Sequence, residues 1–462
     1  MTKKYDVIIV GGGPAGIFAA LELVPDNLSV LLIEEGRDIE KRQCPARDTG
    51  QPCSTCSPCN LVCGLGGAGA FSDGKLTLTP AVGGRLPGYL GEDQTESLIR
   101  YADELYLRFG APKKLYGTGK KVDTLRQQAD LAGLKLVPVP IRHLGTEHCR
   151  LVLKSMWDYL SPRLDSKLRT AVASIDVAKG KVKGVRTEEG ESFACDYLIL
   201  APGREGADWL AQEAERLELT LHSNPVDVGV RVEVPAAVMA PLTDVLYESK
   251  LEFLSRRFDD RVRTFCMCPG GEVIMESTGG RDPVITVNGH SYAERKTENT
   301  NFALLVSTAF TKPFNQPIAY GRYLARLANI LSGGVLLQRL GDLMEGRRST
   351  PERIERGLTR PTLKNATPGD LSFALPYRYL TDLVEMLKAM DKVAPGVASH
   401  HTLLYGIEVK FYSSRPQLTP ALETEVEGMF AVGDGAGVSR GLIQASASGV
   451  VAAREILKRT KR

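Results

Sequence analysis

The stretch YDVIIVGGGPAGIFAALELVPDNLSVLLIEEG, starting at Tyr5, constrains the fold of this chain more than any other. A β-branched apolar run meets a glycine turn, a helical apolar pattern follows, and a second apolar run ends in acid. Gly11-x-Gly13-x-x-Gly16 is the dinucleotide-binding fingerprint. Gly11 permits the tight turn, Gly13 lets a pyrophosphate approach the backbone, and Gly16 allows helix to pack on strand. Pro14 and Ala15 open a helix whose unpaired N–H groups and positive dipole favour phosphate. Glu34 closes the second strand about 20 residues on, where an acid accepts hydrogen bonds from ribose hydroxyls and disfavours a 2′-phosphate. With strand, turn, helix, strand and acid in that order, an ordinary glycine-rich turn is a poor account.

The same run is nearly long enough to resemble a membrane span. Its central glycines and proline, and the strand that follows, read instead as a buried strand-turn-helix. No secretory signal and no integral membrane segment are read, so a cytoplasmic protein is expected. The 462 residues allow two or three domains, and 43% hydrophobic with 24% charged residues is ordinary for a globular chain. A net charge of +3 gives no reason to invoke nucleic acid or an anionic membrane as partner. Nine cysteines are present, five of them from Cys44 to Cys63. The odd total and the cytoplasmic reading argue against a disulfide framework and leave metal, redox or catalytic use.

Between residues 37 and 87 the chain is rich in Gly, Cys, Pro and Ser with little periodicity, unusual for a loop unless it is functional. Helical patterns follow at 96–109 and 149–160. Residues 168–200 alternate as a β-meander closing on YLILAPG, which ends at Gly203. Residues 226–393 are mixed and without repeats, with a strand-like VITVNG and a long helical pattern over 320–344. At the end, GMFAVGDGAG reads as strand and tight turn, and GLIQASASGVVAAREILKR as a helix.

Residues 1–35, the meander ending in LILAPG, and GMFAVGDGAG with its helix resemble the glutathione-reductase-type FAD fold. The nearest subgroup is the one in which a substrate domain interrupts the FAD domain. The resemblance implies FAD, with Asp434 reaching the ribityl-phosphate region and Gly435, Gly441 and Leu442 along the flavin ring. A helix amino terminus there would stabilise negative charge on the reduced ring. More narrowly, GLGGAGAFSDGKL, RHLGTE, TFCMCPGGEV and VNGHSYAER are similar to a family of bacterial and archaeal FAD-dependent dehydrogenases. That similarity implies a flavin oxidoreductase in which Gly66, Gly67, Ala68, Gly69 and Ala70 pass close to the flavin.

The architecture expected is two-domain α/β. A Rossmann-like FAD domain, parallel sheet plus meander, takes residues 1–87 (with a cysteine-rich loop at 37–64), 151–225 and 394–462. A mixed α+β substrate domain takes 226–393, with 88–150 packed near it and the flavin between the two domains.

Cys53, Cys56, Cys59 and Cys63 form C-x2-C-x2-C-x3-C, the spacing of bacterial ferredoxins, with Gly64 where those proteins carry proline. In ferredoxins the fourth cysteine serves another cluster, and no second set of three is evident here, so Cys44 is an alternative ligand. Three readings fit: an iron–sulfur cluster such as [4Fe-4S] with the flavin as electron partner, a structural zinc, or thiols that are redox-active or structural. Cys59 and Cys63 are one residue closer than the pair of the flavin disulfide reductases. No second dinucleotide fold follows, so that activity is demoted.

Chemistry at the substrate has fewer markers. Cys266 and Cys268 would share a face of an extended strand, as nucleophile, proton donor or ligand, or as small buried residues. Asn288, His290 and Tyr292 also alternate, and His290 suits acid–base work or a structural hydrogen bond. His143, His400 and His401 lack metal-ligand spacing. Arg440, before the last helix, would bind a carboxylate or stabilise a flavin anion, and Asp73 and Lys75 are comparable candidates. The activity expected is hydride movement between flavin N5 and a carbon centre of a small molecule, with NAD(P)H or a redox protein as electron partner. The alternative is an electron-transfer component relaying between proteins.

Overall fold

Val7, Ile8 and Ile9 of β1 (Lys4–Val10) are all fully buried, so both faces of this strand are covered, as in the middle of a parallel sheet. The computed structural model describes residues 3–44, 56–222, 224–278, 283–292, 296–308, 310, 316–411 and 414–461. In it β1 lies between β2 (Val30–Glu34) and a later strand, Ser192–Leu200, parallel to both. The sheet continues outward from β2 to β3 (Asp165–Leu168), again parallel. On the other side β4 (Val172–Ala178), β5 (Lys181–Thr187) and β6 (Ser192–Leu200) form the antiparallel meander. The late strand Met429–Ala431 pairs in parallel with the end of β6.

Register fixes where a ligand goes. Val10 pairs with Ile33 and with Leu200, and Leu200 pairs with Ala431. The segments after these residues therefore emerge side by side at the carboxyl ends of four strands, where open α/β sheets bind ligands. α1 (Pro14–Leu23) leaves that edge and packs on the carboxyl-terminal helix Leu442–Thr460. The two approach so closely that a Cβ on Gly449 would overlap the Ala15 carbonyl oxygen. Gly449→Ala gains roughly 1 kcal/mol of helix propensity and forces the helices apart at a cost of about 1–3 kcal/mol. A net fall in melting temperature is expected, and a rise would show that the helices are not clamped there.

The chain divides into two units. The first is Met1–Lys114, Arg142–Asn224 and Ser413–Arg462, and the second is Leu115–Ile141 with Pro225–Tyr412. This redraws the expected boundaries. Residues 88–114 and 142–150 belong to the first unit. Tyr106, on helix Glu92–Arg108, stacks on Phe18 and bonds Ser446 Oγ at 3.0 Å, and Arg142 grips Asp103 at 2.6 and 2.7 Å. Residues 394–412 belong to the second unit, because strand Leu403–Lys410 pairs with Val226–Pro235.

The second unit is built on an eight-stranded, mostly antiparallel sheet with Val226–Pro235 and Asn299–Thr308 at its centre. The helical pattern over 320–344 is broken in two places: helix Pro317–Ser332 ends at Gly333 in the left-handed conformation, and strand Leu336–Arg339 follows. Arg231 is completely buried in this unit, 3.2 Å from Glu408 and bonded to Asn301 Oδ1 and the Cys266 carbonyl.

Asp382, also fully buried there, is pushed up to about 6 by loss of solvent and by the negative charge of Asp260. A carboxyl raised above its unfolded value binds its proton more tightly when folded. Stability is therefore lost as pH rises from about 4 through about 6. Asp382→Asn should match the wild type near pH 4 and melt a few degrees higher above pH 7. Equal melting curves at both pH values would refute the assignment.

Candidate functional site

A cleft at the strand ends of the first unit is lined by Gly11, Gly13, Glu34, Cys63, Asp434 and Leu442, with neighbours of each. Gly11 has φ +106°, and a Cβ there would overlap the Ala201 carbonyl. One on Gly16 would overlap the Gly11 carbonyl, so both positions admit only glycine. A Cβ on Gly13 would instead meet nothing nearer than Gly67 Cα at 3.7 Å, and it would occupy the mouth of the turn. α1 begins there with no side-chain cap and no acid in its first turn, and Pro14 has no N–H to offer. The N–H groups of Ala15 and Gly16 are left to a phosphate.

Glu34 is 6% exposed and wired into the backbone. Oε2 accepts from Gly12 N at 2.7 Å, and Oε1 accepts from Gly36 N and Gly64 N, both at 2.9 Å. Of about four lone-pair sites on a carboxylate, three are taken and one, on Oε2, remains for a ribose hydroxyl. Glu35, Glu188 and Glu205 line the same end of the cleft, with Arg204 among them. Desolvation pushes Glu35 up, and the charges of Glu34, Glu205 and Glu188 push it further. A 2′-phosphate would be repelled.

At the other end, Val432 N bonds the Leu200 carbonyl, and Gly433 N bonds Ser448 Oγ at 3.0 Å. Asp434 follows, its Oδ1 accepting from Ser439 Oγ at 2.5 Å. Gly435 lies so close to Gly203 that a Cβ would overlap the Gly203 carbonyl. Gly441 caps the 19-residue carboxyl-terminal helix without a side-chain bond, and Leu442 begins it in the cleft wall. The segment Gly66–Ala70 is a 3-10 turn over Gly67–Phe71, packed between Pro14 and Leu442: a Cβ on Gly69 would press on both. Fingerprint, turn and last helix thus meet around one cleft.

Arg42 holds that turn in place, and nothing in the sequence signalled it. It is fully buried, stacks 4.8 Å from the Phe71 ring, and donates to five carbonyl groups. These are Asn60 and Leu61 at 2.9 Å, Gly64 at 3.3 Å, Leu65 at 2.7 Å and Gly67 at 2.8 Å. Burial lowers its guanidinium to about 10, so it stays charged at neutral pH. Its partners are backbone atoms, which leave no mark in a sequence.

Cys53 lies outside the described residues. Of the others in the motif, Cys56 is exposed, Cys59 half-buried and Cys63 buried. Cys63 Sγ is 3.7 Å from Glu34 Oε1, and desolvation, then Glu34 and Glu35, push its thiol pKa up. Cys63 N bonds the Cys59 carbonyl at 2.8 Å in a single turn. Among the described residues Cys44, Cys56, Cys59 and Cys63 do not bring three sulfurs within 4.8 Å of one another.

The remaining candidates divide between the units. Asp73 and Lys75, in the first, form an ion pair at 2.8 Å. Arg440, also in the first, donates its backbone N–H to Gly83. Cys266 and Cys268, in the second, lie on a strand whose register shifts between Phe265 and Cys268, with φ +46° at Cys266. The bulge breaks the simple alternation, yet the two sulfurs lie within 4.8 Å of each other, and Cys268 is 3.4 Å from Arg231. His290 sits opposite Glu272 in a hairpin of the same unit. Its neighbours are tied down, Asn288 to Glu276 and Tyr292 to Glu272.

The donors and close approaches of the first unit fit FAD: an uncapped helix for the pyrophosphate, a carboxylate with one lone pair left for ribose, and a second uncapped helix beyond Asp434. This is the site of a flavin-dependent oxidoreductase. The chain belongs to the FAD dependent oxidoreductase family, DAO, which it matches over residues 6–304. Residues 225–411 match a second family, the FAD-dependent protein, C-terminal domain-like. An uncharacterized protein of Clostridium beijerinckii is 28% identical over 482 residues, covering 99% of this chain and 81% of that one. Among solved structures, glycine oxidase from Geobacillus kaustophilus is similar with a TM-score of 0.41 at 15% identity, over 99% of this chain and 95% of that one. L-proline dehydrogenase from P. horikoshii gives 0.42 at 11% identity, over 99% and 95%. Among the described residues no helix is long and apolar enough to cross a membrane.

Proposed function

We propose that this oxidoreductase moves a hydride between FAD and a carbon centre of a small molecule, forming or reducing a C–N or C=C bond. The observation that carries it is the uncapped amino terminus of the helix Leu442–Thr460 in the wall of the nucleotide cleft. Bound FAD supplies a hydride acceptor at N5. The chain's own part is to bind and orient. Ala15 and Gly16 N–H groups hold the pyrophosphate, Glu34 the ribose, and Asp434 the ribityl end. The N–H groups at the start of the last helix offset negative charge near Leu442. Leu442, Ala445 and the apolar face of the Gly67–Phe71 turn exclude water from that part of the cleft.

A visible spectrum of the purified protein, followed by anaerobic addition of amines and saturated or unsaturated carboxylic acids, tests this. A flavin band that bleaches with at least one donor supports it. A protein that purifies without flavin and binds none on reconstitution refutes it.

The relay alternative, with an iron–sulfur cluster on the cysteine loop, is less well supported by the position of Cys63. That thiol lies at the nucleoside end of the cleft, beside Glu34, and not at the end marked by Asp434 and Leu442. A loop pinned by its thiols or by a structural metal suits that position better. Iron and acid-labile sulfide in stoichiometric amounts would reverse this preference.

A further inference from the structure

Three arginines gather at the edge of the same unit where the last helix begins. Arg85 and Arg440 are held by backbone pairing: Arg85 N bonds the Val438 carbonyl at 2.8 Å, and Arg440 N bonds the Gly83 carbonyl at 2.9 Å. Gly84 and Ser439 form the antiparallel bridge between them. Gln444, on the first turn of the helix, clamps the approach by donating to the carbonyls of Val82 at 2.9 Å and Pro80 at 3.3 Å. Arg415 reaches the group from strand Arg415–Pro416, its guanidinium 5.9 Å from the centre of the Tyr89 ring.

We propose that Arg85, Arg415 and Arg440, with the Tyr89 hydroxyl, bind an oxyanion ligand carrying two or more negative charges, a dicarboxylate or a phosphate, beside the flavin cleft. Arg440 immediately precedes Gly441, which lines that cleft. The proposal rests on the flavin reading for its place, not for its chemistry.

Two observations point to an anion. Arg85 Nε is buried with no hydrogen-bond partner, a costly state for a charged donor unless a ligand supplies the acceptor. Burial lowers the Arg85 guanidinium, and the like charges of Arg440 and then Arg415 lower it further; Tyr89 opposes them, and among the described residues no carboxylate acts on it. Cations brought together this way repel unless an anion joins them. Guanidinium forks match the paired oxygens of carboxylate and phosphate alike. Arg85 and Arg415 alone carry two positive charges, and one monovalent anion balances only one of them.

Calorimetric titration of the FAD-loaded protein at low salt, with malonate, inorganic phosphate and acetate in separate runs, tests the site. Malonate or phosphate should bind at least tenfold more tightly than acetate, and Arg85→Gln and Arg415→Gln should each weaken that binding tenfold or more. Tighter malonate marks a dicarboxylate ligand, and tighter phosphate a phosphorylated one. Added NaCl should weaken either. Acetate binding as well as both divalent anions, no binding by any of them, or both variants binding like the wild type would overturn the proposal. Flavin content and bleaching, read on the same samples, report separately on the oxidoreductase reading. Should Arg85→Gln fail to fold, Arg415→Gln alone carries the test, since Arg415 lies on a two-residue strand at the edge.

Discussion

Arg42→Met is expected to release the flavin and lower stability by on the order of 4 kcal/mol. Methionine fills much of the volume but offers no donor, and five carbonyl groups of the 60–67 segment lose their partner together. Each buried orphan costs about 1–3 kcal/mol, discounted because a freed loop turns some of them to water. Arg42→Lys should fall between the two, since one ammonium with three donors cannot span the positions of a planar fork. Thermal melting and the flavin-to-protein ratio are the measurements. A yellow Arg42→Met protein with an unchanged melting temperature would mean that the turn holds itself.

Glu34→Gln is expected to weaken FAD about 100-fold, or about 2.7 kcal/mol, with a smaller loss of stability. The fold of the glycine turn depends on three N–H groups pointing at one carboxylate. An amide turns its NH2 toward at least one of those donors, whichever way it is oriented, and removes the charge that strengthens the others. The ribose loses its acceptor in the same change. Flavin fluorescence during titration of the apoprotein gives the constant, and an affinity within threefold of wild type would remove Glu34 from the site.

These two residues differ in how much the sequence showed of them. Glu34 is legible because its position after a strand, at a set distance from Gly11, Gly13 and Gly16, is dictated by the geometry of a βαβ unit. Gly11 and Gly16 are legible because a side chain would collide with backbone there. Asp434 and the Gly66–Ala70 turn were found through a resemblance, and the structure brings them to the same cleft as the fingerprint. Arg42 was invisible, since its acceptors are carbonyls that any chain possesses. Arg85 and Arg415 were invisible for another reason. They join Arg440 only after three distant segments have met, and sequence spacing carries no trace of that.

The division into units follows tertiary contacts where local pattern is neutral. The helix Glu92–Arg108 is amphipathic and would suit either unit by pattern alone; Tyr106 and Asp103 assign it to the first. Over 320–344 the apolar spacing runs on past Gly333, and the left-handed turn at that glycine ends the helix.

The sheet order has a consequence for how the protein is made. The nucleotide turn leaves the ribosome before the second unit, and the wall formed by Asp434, Gly441 and Leu442 leaves after it. The second unit is translated almost entirely in between. A nascent chain therefore exposes the edge of β6 that Met429–Ala431 will cover, and it holds half a cofactor cleft while the second unit is made. Flavin cannot be gripped from both ends until the final helix docks on α1. Cofactor retention then reports that translation passed the helix Leu442–Thr460, and chains cut short before it should emerge colourless and prone to aggregate.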